Sequence, residues 1–168
     1  MATVNIGYAA SATLTNAIAS LATSSTFVAG YESDVFDNTS TKYVDVLLSG
    51  QVTVGTTPTI NTAILIYVMG LRDDAPAYPD VFDGTTSTET LTSVGVGAGF
   101  LRLAAVMSVD ATTSDRTYHF GPVSVAQLFG GIMPYKFIVY TTHNTGVNLN
   151  STAGNHVFKT TGITYTVA

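Results

Sequence analysis

The sequence contains no cysteine, and that absence removes three kinds of chemistry at once. Disulfide scaffolds, thiolate zinc sites and cysteine nucleophiles all need the thiol that this chain lacks. Tryptophan is absent too, which removes a large flat side chain that could stack on a sugar ring. No disulfide staple and no thiol chemistry are therefore available to this chain.

Charged side chains are scarce: they make up 10% of the 168 residues, where about a quarter is usual. All 11 acidic residues lie in residues 1–115, which carry a formal charge of −8, whereas residues 116–168 carry +3. Three cations spread over that second segment do not form a clustered basic patch, so we expect no nucleic-acid partner. The shortage of surface charge favours a subunit of an assembly over a free cytosolic domain.

Long apolar runs are also missing. Thr, Ser, Gly or a charged residue interrupts each apolar stretch well before the roughly 20 residues that a membrane helix needs. The first eleven residues lack the basic region of a signal peptide. We therefore expect a soluble protein that is not secreted by the conventional route and has no membrane partner.

The chain does have the side chains for a core, since 46% of its residues are hydrophobic and its mean hydropathy is +0.33. A domain of this size buries about 70% of the surface of its unfolded chain. No internal repeat and no linker divides the sequence, so we expect one domain over residues 1–168. The 28 Thr and 13 Ser residues are suited to the wet faces and ends of strands.

Most of the chain has the pattern of β-strands. Val46, Leu48 and Val52 alternate with polar residues, which predicts a strand with one wet face. Residues 60–69 are apolar on both faces, which predicts a central strand covered on both sides. The predicted strands are residues 26–32, 43–54, 60–69, 89–96, 100–109, 116–120, 135–142 and 156–167. About eight strands with turn-rich connections predict an all-β fold, an antiparallel β-sandwich or barrel.

Two short helices are predicted between the strands. The first has apolar residues at i, i+3, i+4 and i+7 after Thr13, a suitable N-cap. These residues are Leu14, Ala17, Ile18 and Leu21. The second covers residues 123–129, after Pro122 and before Gly130. The glycine-rich residues 95–99 predict a turn or bulge, because no lysine follows them as it would in a phosphate-binding loop.

Residues 72–88 form a long loop rich in aspartate, and loops of this length in compact domains are usually functional. We expect this loop to contact a partner, because an exposed aromatic beside a proline makes a good interface anchor. The candidate residues are Tyr78, Pro79, Asp80, Val81 and Phe82. The alternative is that Val81 and Phe82 fold back on their own core. A second contact loop is expected at residues 147–155, with Val147, Asn148 and Asn150 as candidates.

Catalytic patterns are weak. A Ser or Thr nucleophile needs a histidine that an acid orients, yet the chain has no G-x-S-x-G elbow and no acid after Asp115. The histidines are His119, His143 and His156. Glycoside hydrolysis needs two facing carboxylates, and Glu32 and Glu89 are the only glutamates. We therefore expect no enzyme.

Metal binding is the remaining chemical possibility. Asp73, Asp74, Asp80 and Asp83 offer oxygen ligands in one loop, but their spacing does not match an EF-hand. Zinc would need clustered histidines, which lie on separate segments here. We expect neither a metal nor a cofactor, with bound calcium as the alternative.

Five segments carry a resemblance to a known family. They are TLTNAIASLATSSTFVAGYES (13–33), YVDVLLSGQVTVGTTPT (43–59), AYPDVFDGT (77–85), TTSDRTYHFGPVSVAQLFGGIMP (112–134) and THNTGVNLNSTAGNH (142–156). Together they span almost the whole chain and resemble a family of small proteins encoded in tailed-bacteriophage and prophage genomes. These motifs identify a lineage and carry no mechanism.

The resemblance implies a jelly-roll-like sandwich and a structural role in the virion, as a decoration or cement protein on the capsid surface. The implied partners are the major capsid protein or other virion proteins and further copies of the chain, with a trimer among the expected homo-oligomers. Such a protein is made in the bacterial cytoplasm before it joins the particle. The alternatives are a tail-fibre or head-fibre module that binds a receptor glycan, for which tyrosines would supply the stacking surface, and a polysaccharide hydrolase.

Overall fold

The computed structural model describes residues 3–71 and 77–167. The strands are β1 (Val4–Tyr8), β2 (Ala12–Thr13), β3 (Ala29–Glu32), β4 (Phe36–Asp37), β5 (Asp45–Thr53), β6 (Thr62–Leu71), β7 (Ser87–Thr90), β8 (Leu101–Val109), β9 (Thr117–Ser124), β10 (Lys136–His143) and β11 (Val157–Val167). The helices are α1 (Val94–Gly97), α2 (Val125–Leu128) and a 3₁₀ turn at Ala153–Asn155.

The strands form two antiparallel sheets. Sheet A has the order β1-β11-β5-β9, with β2 also on β11, and sheet B has the order β7-β3-β10-β6-β8, with β4 also on β10. If β1 and β2 are counted as one interrupted strand, β3 and β4 as another, and the short edge strand β7 is set aside, eight strands remain. Their orders are 1-8-3-6 and 2-7-4-5, which is a jelly roll. The predicted antiparallel β-sandwich is confirmed.

The main core lies between the two sheets. Val46, Leu48 and Val52 of β5 contribute the apolar face predicted from the sequence, and all three are fully buried. They belong to one cluster with Ile64 and Ile66 on the inner face of β6. Each such side chain stabilises the fold by about 1.5–3 kcal/mol.

A second core covers part of the outer face of sheet B. Met69 and Tyr140 point away from the main core and are buried beneath Phe82 and Leu91, which follow β6 in the chain. Leu65, nearer the N-terminal end of β6, is only half-buried. The expectation that β6 is covered on both faces is therefore right at its C-terminal end and wrong at its N-terminal end.

The predicted helix after Thr13 is wrong. Residues 14–24 instead run in an irregular, non-helical path from sheet A to sheet B, with Leu14, Asn16 and Ile18 buried and Ala17 exposed. The Asn16 side-chain amide donates to Thr141 Oγ1 at 2.9 Å, so the polar residue is held inside the sandwich. Leu14 and Ile18 fit both a helical period and an alternating one, and the buried asparagine hid the alternation.

Other boundaries also differ from the prediction. The strand expected at residues 89–96 ends at Thr90, because Ser93 caps the helical turn α1 at the N–H of Val96. That turn replaces the bulge expected at residues 95–99. The second predicted helix is confirmed as the single turn α2, capped by Ser124, although Pro122 lies in β9 and does not begin the helix.

Substitutions at the neighbouring positions 17 and 18 separate the irregular path from a helix. Ile18→Ala should lower the free energy of unfolding by about 2–4 kcal/mol, because it leaves a cavity in the main core. Ala17→Asp should change it by less than about 0.5 kcal/mol, because residue 17 is exposed. Urea unfolding of both variants measures this. A large loss for Ala17→Asp would mean that the residue packs in a helical stripe.

Candidate functional site

The two loops predicted to contact partners begin near opposite ends of β10. The loop after β6 starts where Leu71 pairs with Lys136 at the beginning of β10. The other loop follows His143 at the end of β10. Eight residues of strand span about 24 Å, and this distance separates the points where the two loops leave sheet B.

The described part of the first loop, residues 77–86, is called the acidic loop here. The buried Glu32 carboxylate accepts the backbone N–H of Gly84 at 2.8 Å and of Asp83 at 3.3 Å. Asp80 accepts the backbone N–H of Thr92 at 3.0 Å and its hydroxyl at 2.5 Å. These bonds hold the acidic loop against the outer face of sheet B.

Phe82 does not point outward as expected for an interface anchor. Its ring is 4% exposed and packs edge-on against Tyr140 and Phe100, with centroid distances of 5.4 and 5.8 Å. Val81 is half-buried against the same cluster. The alternative, in which this part of the loop folds back on its own core, is the observed one. Asp80 is the one exposed residue among the five candidates, since Tyr78 and Pro79 are half-buried.

Asn150, a candidate in the second loop, has a structural role. Its side-chain amide donates to Asp115 Oδ1 at 2.7 Å, and its Oδ1 accepts the backbone N–H of Thr152 at 2.8 Å and the side-chain amide of Asn155 at 3.0 Å. The other two candidates, Val147 and Asn148, are more accessible to a partner. They line an open polar hollow of about 410 Å³ together with Ser20, Thr56 and Asp115.

Three carboxylates meet beside the acidic loop. One oxygen each of Glu32, Asp83 and Glu89 lies within 4.8 Å of the others. This set differs from the predicted one, because Asp80 is bonded to Thr92, and Asp73 and Asp74 lie outside the described residues. Carboxylates in this arrangement suit a hard cation, but calcium takes six to eight oxygens and both Glu32 oxygens already accept backbone N–H groups. The cluster is therefore explained by its role in holding the loop.

Two carboxyl groups of this cluster, the buried Glu32 and the exposed Asp83, have shifted pKa values. Burial, with a smaller contribution from the charges of Asp83 and Glu89, raises the pKa of the Glu32 carboxyl to about 7 against the lowering effect of the backbone N–H groups. The hydroxyl and N–H of Thr85 lower the pKa of Asp83. Asp83 thus carries the negative charge while Glu32 takes up a proton near neutrality.

Two histidines are buried at the other end of the sandwich. His143 Nε2 lies 3.0 Å from the Leu21 carbonyl oxygen and its Nδ1 lies 3.0 Å from Thr145 Oγ1, while burial lowers the pKa of the ring to about 4. His156 Nε2 lies 2.8 Å from the Asn150 carbonyl oxygen. Within residues 3–71 and 77–167 neither ring is hydrogen-bonded to a carboxylate. Both imidazoles position backbone segments, and His119 is exposed on β9.

The surface that the sequence reasoning missed is formed by β1 and the end of β11. Residues 4–8 and 163–167 pair with each other, and we call this ribbon the apolar arm. Its most exposed side chains are Val4, Ile6, Tyr8, Tyr165 and Val167. The alternation of Val4, Ile6 and Tyr8 with Asn5 and Gly7 is the signal that could have found it.

Comparison with known proteins adds no identity: neither the protein-family models nor the curated proteins give a match to this chain. In the part of the chain that the structure describes, no helix is long and apolar enough to cross a membrane.

Removing the Glu32 carboxyl should change how stability depends on pH. The pKa of Glu32 is raised from 4.5 to about 7 on folding, so the folded state binds more protons between these values and the free energy of unfolding falls as pH rises. Glu32→Gln removes this titration and keeps an oxygen for the Gly84 N–H. Urea midpoints from about pH 5 to pH 8 should therefore favour the variant increasingly over the wild type. A constant difference across that range would contradict the raised pKa.

Proposed function

We propose that this protein is a non-enzymatic structural protein of a tailed-bacteriophage virion, a decoration protein that binds the major capsid protein and further copies of itself. The observation that carries the proposal is the amount of apolar surface. Among the described residues, thirteen large hydrophobic side chains are at least 40% exposed. They are Val4, Ile6, Tyr8, Val44, Ile60, Val94, Val96, Leu103, Val106, Ile132, Tyr135, Tyr165 and Val167.

These side chains lie on more than one surface of a chain that has few charges to keep it apart from its neighbours. A protein that meets several neighbours in a symmetric shell needs apolar surface on more than one side, because many contacts of modest strength act together. The jelly-roll sandwich and the resemblance of five sequence segments to phage-encoded proteins support the same role.

The surface best suited to the capsid is the uncovered part of the outer face of sheet B, which we call the outer patch. Leu103 and Val106 of β8 lie opposite Tyr67 and Leu65 of β6 on this face. Val94 lies beside Tyr67, and these two residues help to line an apolar cavity of about 50 Å³. The acidic loop covers the other end of the same face, so its exposed aspartate Asp80 would lie at the rim of this contact.

The location on the particle tests the class of function. Antibodies against this protein, used to label virions of the phage or induced prophage that encodes it, should place gold particles on the head surface. Label on the tail alone, or particles without the protein, would refute the capsid role.

Binding to capsids tests the outer patch. The double substitution Leu103→Asp and Val106→Asp should weaken binding to capsids that lack the protein by at least about 100-fold, because it buries two charges in an apolar contact. Ile132→Asp is the matched control: it also replaces an exposed apolar side chain, but on the connection between β9 and β10. Equal losses for both variants, or no loss for the double variant, would exclude the outer patch as the contact.

The polar hollow at Asn148 favours a second candidate, a fibre module that binds a glycan. Its volume of about 410 Å³ and its amide, hydroxyl and carboxylate groups suit a sugar. A glycan array decides between the two. The capsid role predicts no sugar-dependent binding, whereas binding that Asn148→Ala abolishes would favour the fibre module.

A further inference from the structure

The apolar arm extends beyond the rest of sheet A. Strand β5 pairs with β11 only as far as Ile163, so within the described chain residues 164–167 pair with β1 alone. The register places Val4 opposite Val167 and Ile6 opposite Tyr165. These side chains therefore share one face of a two-stranded ribbon, and Asn5, Gly7, Thr164 and Thr166 share the other.

The apolar face of the arm is open to water and uncharged. Its five most exposed residues, led by Val167 at 71% and Tyr8 at 68%, expose about 600 Å² between them. No residue in either strand segment of the arm carries a charge. A two-stranded ribbon with these properties is marginal in water without a covering surface.

Other open edges of the sandwich are protected in ways that the arm is not. Strand β7 has only four residues and includes Glu89, and the edge strand β8 carries the exposed Arg102. Charge and shortness are the usual means by which edge strands avoid association. The arm lacks charge on both its faces, which fits a strand pair that is meant to be covered.

We propose that the apolar arm is the contact between two copies of this chain, which pack their arms face to face about a two-fold axis. The inference makes specific the self-association that forms part of the proposed function. A two-fold axis through the middle of the arm brings the central Ile6 near its own counterpart, which an uncharged side chain tolerates and a charged one does not. If the whole of this face were covered in both copies, the two arms would bury about 1,200 Å² together, the lower limit for a stable protein interface.

Face-to-face packing accounts for the side chains better than edge-to-edge pairing does. Joining β1 of one copy to β1 of another would satisfy backbone groups but leave Ile6 and Tyr165 exposed on the surface of the joined sheet. Packing the apolar faces together covers Ile6, Tyr8 and Tyr165 and leaves Asn5 and Thr166 in water. Face-to-face packing tolerates a charge at Asn5, because this side chain stays in water. A charged residue at this position therefore distinguishes the two arrangements.

Sedimentation equilibrium measures the association directly. The wild-type protein should sediment as a dimer of its 17.5 kDa chain at concentrations in the range of about 1–100 μM. Ile6→Asp and Ile6→Lys, each alone, should weaken dimerisation by at least about 100-fold, because a two-fold axis places like charges together. An equal mixture of the two variants should regain the dimer, because the charges are then opposite.

Two controls complete the experiment. Asn5→Asp adds a charge to the same strand on its polar face and should leave the dimer intact. Val106→Asp adds a charge on the distant sheet B and should also leave the dimer intact. Circular dichroism shows whether each variant is folded. A wild-type monomer or trimer, a dimer unaffected by Ile6→Asp, or dissociation by Asn5→Asp would each overturn the proposed contact.

The outcome is separable from that of the proposed function. A dimer with the expected charge rescue but no label on phage heads would refute the capsid role and leave the arm contact standing. Head label together with a monomer in solution would refute the arm contact and leave the capsid role standing.

Discussion

The packing of β5 against β6 is the contact on which the rest of the molecule depends. Val46, Leu48 and Val52 meet Ile64 and Ile66 without exposed surface, and this fixes the distance and orientation of the two sheets. The sandwich then has two open sides. One is closed where β8 approaches β9, and the other by residues 14–24, whose Leu14 and Asn16 bond to β11 and β10. The loops at both ends are held by carboxylate, amide and imidazole groups that bond to the backbone.

The buried ionisable groups of this chain serve the fold itself. Glu32, His143 and His156 are buried and each bonds to the backbone, so these groups stabilise loop positions. The surface is left to threonine, serine and exposed aliphatic side chains. Such a surface is stable in an assembly, where neighbours cover it, and is prone to association in isolation.

The sequence predicted the sandwich because strands such as β5 bury alternate residues, a pattern that needs no knowledge of tertiary contacts. It failed at residues 14–24, where the burial of Asn16 depends on Thr141, more than a hundred positions away. It left the position of Phe82 undecided between a partner contact and the protein's own core, because the covering partner Tyr140 lies on a distant strand. The apolar arm was overlooked for a different reason: Val4, Ile6 and Tyr8 alternate plainly, but their pairing with β11 is not written in local sequence.

That pairing joins residues at almost opposite ends of the sequence, and it has a consequence for the order of events during synthesis. Strand β1 leaves the ribosome before β11, which is its pairing partner in the described chain and which must itself find its place beside β5. Contacts between such distant segments form late, since closing a long loop costs entropy before the pairing is gained. The apolar arm is therefore completed only on a chain whose sandwich is already in place, so the order of folding would delay the proposed self-association until the subunit has folded.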